Sequence, residues 1–153
     1  VRTLLLALAL ALAPGLAGCS ASGCGRTVQV PTAPPIDVKV EHNMDPSKAC
    51  DDHVVVKAGT PQLHVVLTLE NYYKSHCPGP PATVTLVAPD GATHAQLTSQ
   101  QLPTFDCVYN FDRNETLAPG TWTLKYSGGS VSPGGAEVYL ASLLEITNAS
   151  AIA

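Results

Sequence analysis

The chain has 153 residues, 45% of them hydrophobic, 5% aromatic and 13% charged, with a formal net charge of -4 and a pI near 5.6. One ordinary domain fits that length, and average apolar content with few charges argues against a disordered chain. The acidic balance excludes the basic footprint of a nucleic-acid binder.

In chain order, the first element is a ten-residue apolar run, Leu4 to Ala13, behind Arg2. It is too short for a permanent span, which needs ~20 apolar residues. A positive start, an apolar run and then small residues are the layout of a secretory signal. Pro14-Gly15 ends any helix just before Leu16-Ala17-Gly18-Cys19.

Those four residues resemble the lipobox of bacterial lipoproteins at every position. The resemblance implies cleavage before Cys19 and acylation of its thiol, with residues 1–18 as signal peptide. Two or more acyl chains give stable attachment where one does not. The implied partner of Cys19 is therefore membrane lipid. By the same resemblance, Ser20 rather than Asp after the cysteine implies the outer membrane if the host has two membranes.

Residues 19–35 are rich in Ser, Gly and Pro and read as a flexible tether. From Ile36 the pattern has period two. Ile36, Val38 and Val40 alternate with Asp37, Lys39 and Glu41, and Leu63, Val65, Leu67 and Leu69 alternate with more polar neighbours. Val84, Leu86 and Ala88 repeat the pattern, as do Trp122, Leu124 and Tyr126, and then Val138, Leu140, Leu144 and Ile146. Shorter strands are expected over 53–57, 94–98 and 107–111. Such alternation marks strands with one face to a core and one to water. Turn signals separate them, Pro89-Asp90-Gly91 being the tightest. The expected fold is all-β, a single antiparallel β-sandwich of jelly-roll or Ig-like form over 36–148, with a tail at 149–153. Trp122 belongs to its inner face.

Three blocks, 63–73 (LHVVLTLENYY), 82–97 (ATVTLVAPDGATHAQL) and 117–145, resemble the P domain that accompanies subtilisin-like proteases and proprotein convertases. Gly120-Thr121-Trp122-Thr123-Leu124 is the most specific part of that likeness. It implies a jelly-roll-like sandwich acting as a non-catalytic accessory module. The chain departs from the family where a tryptophan of the last strand is replaced by Ala141-Ser142-Leu143, and these 153 residues hold no protease domain.

Of the five cysteines, Cys24, Cys50, Cys77 and Cys107 remain for disulfides once Cys19 is acylated, and three pairings are possible in an oxidising compartment. Cys24 with Cys50 and Cys77 with Cys107 is the preferred pairing. No C-x-x-C, H-E-x-x-H or P-loop pattern occurs, so no cofactor or resident metal is expected. Ser130 sits among glycines but lacks the second glycine of G-x-S-x-G, and reads as loop.

His42, Asp45, Asp51, Asp52 and His53 fall within twelve residues and read as a polar loop. Asp51, Asp52, Asp106 and Asp112 are the candidates for calcium. Tyr72, Tyr73 and Tyr109 are the candidates for a ligand platform, and adjacent tyrosines on a strand point to opposite faces. No catalytic residue is assigned. The reading is an anchored envelope module whose partner is an envelope protein or polysaccharide; the alternatives are a carbohydrate-binding module and a small envelope hydrolase.

Overall fold

The computed structural model describes residues 25–43, 50–73, 82–99, 108–128 and 138–149. Among them there are nine strands and no helix: β1 (Thr27–Gln29), β2 (Asp37–Asn43), β3 (Asp52–Val56), β4 (Leu63–Tyr73), β5 (Ala82–Val87), β6 (Thr93–Thr98), β7 (Val108–Glu115), β8 (Gly120–Gly128) and β9 (Val138–Asn148). They form a five-stranded sheet in the order β1-β3-β8-β5-β6 and a four-stranded sheet in the order β2-β9-β4-β7.

The order distinguishes the two sandwiches expected from sequence. β2 pairs with β9, β3 with β8, β4 with β7 and β5 with β6, all antiparallel. Eight strands paired outermost to innermost are one long hairpin rolled on itself, which is a jelly roll. β4–β9 and β5–β8 then join the rolled layers into sheets. β1 adds to the edge of β3 in parallel.

The core lies between the sheets and is built by the alternating residues. Leu63, Val65, Leu67 and Leu69 of β4 are fully buried, and Val38, Val40, Val84, Leu86, Trp122, Leu124, Tyr126, Leu144 and Ile146 complete it. Trp122 donates its indole N–H to the Ala118 carbonyl at 2.9 Å, so its one polar atom is satisfied while the ring packs. The tight turn forms at Pro89-Asp90-Gly91, with the Ala92 N–H bonded to the Asp90 side chain at 2.9 Å and Gly91 at a φ of 86°.

Two expectations change. The segment read wholly as tether contains β1, and Val30 and Ile36 behind it are 2% exposed. The packed domain therefore starts near Gly25 rather than at Ile36. Three strand residues beside a Pro-rich stretch carry no readable period, so β1 shows only through its partner β3. β7 also runs on to Glu115, beyond the expected end at 111. Its continuation is polar because β7 is an edge strand: Arg113 sits 5.1 Å over the Phe111 ring, and Glu115 meets His94.

Candidate functional site

β2, β4, β6 and β8 finish, and β3, β5, β7 and β9 begin, at one end of the sandwich. Near that end His42, Asp52 and Tyr126 are polar at inward positions where the period calls for apolar side chains, as Ser142 is on β9. His42 follows Val38 and Val40 on β2, Asp52 precedes Val54 and Val56 on β3, and Tyr126 follows Trp122 and Leu124 on β8. The three meet between the sheets, next to the facing edge strands β1 and β2.

Asp52 is the hub and is fully buried. Its Oδ2 accepts a hydrogen bond from the Tyr126 hydroxyl at 2.9 Å and lies 3.3 Å from His42 Nδ1. Its Oδ1 accepts the Arg26 backbone N–H at 2.9 Å, with Arg26 Nε 3.8 Å away. The His42 ring stacks on Tyr126 with centroids 4.0 Å apart and planes 7° from parallel. The Arg26 guanidinium reaches across to donate to the Glu41 carbonyl on β2. A buried carboxylate is tolerated only when it is paired and hydrogen-bonded, and this one is bonded by donors from two strands and the start of a third.

Burial acts on the titrations. It holds His42 below its ordinary 6.5, outweighing the opposing pull of Asp52, with Arg26 adding to the lowering. Burial first, then the Asp52 charge and hydrogen bond, raises Tyr126 above the usual tyrosine range. Neutral His42 and neutral Tyr126 around one carboxylate form a closed polar plug, with little surface open to a substrate.

The opposite open side, between β6 and β7, has its own histidine. His94 Nε2 lies 2.9 Å from the Glu115 carboxylate, and its ring meets Trp122 edge-on at 5.0 Å and Phe111 at 5.7 Å. His64 pairs with Asp112 at 2.7 Å on the exposed face of the four-stranded sheet, and Lys39 with Glu145 at 3.2 Å on that same face.

Of the residues singled out in sequence, His42 and Asp52 are brought together, which the polar-loop reading missed. The signal was there: both continue the inward period of their strands. Asp51 is exposed, and His53 turns outward to place Nδ1 3.3 Å from Thr123 Oγ1. Asp52 faces the core from one sheet while Asp112 faces solvent from the other, so these calcium candidates do not converge. Among the described residues no three His, Cys, Asp or Glu side chains are grouped to hold a metal ion. Tyr109 is half-buried against the core. Tyr72 and Tyr73 have backbones paired with Tyr139 and Val138, but their side chains lie outside the described residues. Cys19, Cys24, Cys77, Asp45, Asp106 and Cys107 also lie outside them. Cys50, just before β3, is half-buried and disulfide-bonded.

No family model matches the chain, and no curated protein matches it. Among solved structures it is similar to Aeromonas hydrophila PliG, a periplasmic lysozyme inhibitor of g-type lysozyme, at 16% identity over 81% of this chain and 98% of that one, with a TM-score of 0.37. A score that low carries no functional argument, and the sandwich stands on its own strand order.

Proposed function

We propose that the protein is a lipid-anchored bacterial envelope protein whose jelly roll is a non-catalytic binding or assembly module. The observation that carries the non-catalytic part is the saturation of Asp52. It is fully buried, and both its oxygens accept hydrogen bonds within the protein. A general base or nucleophile-orienting acid must leave a partner facing a substrate, and here the partners face one another. The anchor rests on Arg2, the apolar run and Leu16-Ala17-Gly18-Cys19 in that order. The strand order is that of a jelly roll, the fold that the P domain resemblance implies.

The partner is an envelope protein or polysaccharide. A protein is favoured because the described aromatics are committed elsewhere: Trp122 and Tyr126 are buried, and Tyr109 and Phe111 pack against the core. Stacking on sugars needs exposed rings. Fractionation tests the anchor: Cys19→Ala moves the protein from the membrane to the soluble fraction, and retention on membranes overturns it. Cross-linking the anchored protein in its own cells tests the module. A chain that joins no envelope protein or glycan refutes it.

A further inference from the structure

β1 is the shortest of the described strands and lies at a sheet edge, yet it is fastened at both ends. Its register with β3 is constant: Thr27, Val28 and Gln29 lie opposite His53, Val54 and Val55. The His53 N–H bonds to the Arg26 carbonyl at 2.7 Å, and the Val30 N–H bonds to the Val55 carbonyl at 2.9 Å. Arg26 is held further by Asp52. Cys24 and Cys50 each stand three residues ahead of the paired Thr27 and His53 in the sequence, and Cys50 is disulfide-bonded. Paired strands lie ~4.8 Å apart, within the Cα separation a disulfide spans.

We infer that Cys50 is bonded to Cys24, and that this bond and the Asp52 contacts form a redox-sensitive clip holding β1, and with it the start of the domain, on the edge of β3. Closed, the clip leaves only the five steps of chain from Cys19 to Cys24 as spacer, a reach of about 17 Å. Opened, with β1 peeled off and Val30 and Ile36 drawn out of the core behind it, the spacer extends to Asp37 and the reach grows to about 60 Å. The bond is opened by a dithiol. One thiolate attacks a sulfur of the disulfide and the second resolves the mixed disulfide. Two electrons and two protons thus pass to Cys24 and Cys50, and the reductant becomes the disulfide. The change of reach rests on the anchor proposed above; the clip itself does not.

Peptide mapping of the non-reduced full-length protein tests the pairing. A linked Cys24–Cys50 peptide is expected, and Cys50 linked to Cys77 or Cys107 overturns the inference. Hydrogen exchange before and after dithiothreitol tests the clip on the unaltered chain. Loss of the loop-closing bond should speed exchange at the Val30 and His53 amides about 100-fold. The amides of Val65 and Leu67 between β7 and β9 should keep their rates. Unchanged exchange at Val30 and His53 refutes the clip. Cys19→Ala separates the two ideas, since it abolishes the anchor and leaves both readouts as they were.

Discussion

Replacing Asp52 by Ala removes the acceptor for the Tyr126 hydroxyl and the Arg26 N–H, each at 2.9 Å, and the counter-charge 3.8 Å from Arg26 Nε. Hydrogen bonds to a charged partner contribute about 1.5–3 kcal/mol each, and the two share one carboxylate, so they do not simply add. Stripping one member from a buried charged network costs about 3–5 kcal/mol, because the donors left behind have no water to turn to. We expect Asp52→Ala to lose about 4 kcal/mol, which for a domain of this size lowers Tm by about 15 °C. Asp52→Asn keeps the volume and one acceptor oxygen, and should lose about half as much. Asp51→Ala, one residue away and exposed, should change stability by no more than about 0.5 kcal/mol. Urea unfolding of the three variants on a common Cys19→Ala background, with both midpoint and slope fitted, measures the differences. If Asp52→Ala costs less than about 1 kcal/mol, the carboxylate is not the hub described here.

Two further outcomes follow from the same geometry. Burial lowers the His42 pKa, so between the folded value and 6.5 the unfolded chain binds more protons than the folded one. Stability should therefore fall as pH drops below 6.5 and level off once folded His42 is protonated; His42→Gln should remove that part of the slope, and an unaltered acid limb refutes the assignment. Gly120 has a φ of 135°, and an added Cβ would lie 2.7 Å from the Pro89 side chain. Gly120→Ala should cost about 3 kcal/mol through strain and overpacking, whereas Gly91→Ala, at a φ of 86° with open space around it, should cost about 1 kcal/mol. Equal costs in urea unfolding would contradict this account of the turn end.

Alternation is a local property, and it was enough to locate β4, β5 and β8 and to name their buried faces. Leu63 through Leu69, Val84 with Leu86, and Trp122 with Leu124 face the core as their spacing requires. The Pro-Asp-Gly turn was equally local, since Pro presets φ and Gly accepts the positive one. Gly120 in the Gly-Thr-Trp block was visible too, but the reason for a glycine there became clear only when Pro89 was placed against it.

Strand partners are not local, and neither is the fate of a polar side chain. Which of two sandwiches the strands build depends on β2 meeting β9 and β3 meeting β8 across most of the chain, and no window of sequence contains both members. β1 acquires its hydrogen bonds only from β3. In sequence His42 and Asp52 read as parts of a polar loop, and Tyr126 as a core aromatic. Asp52 is stable in the core because a hydroxyl 74 residues away and an N–H 26 residues away converge on it. Composition and strand faces were thus set by short stretches of chain. Strand order and the buried polar hub were decided by tertiary structure, because a buried charge is held by partners that only folding brings within hydrogen-bond distance.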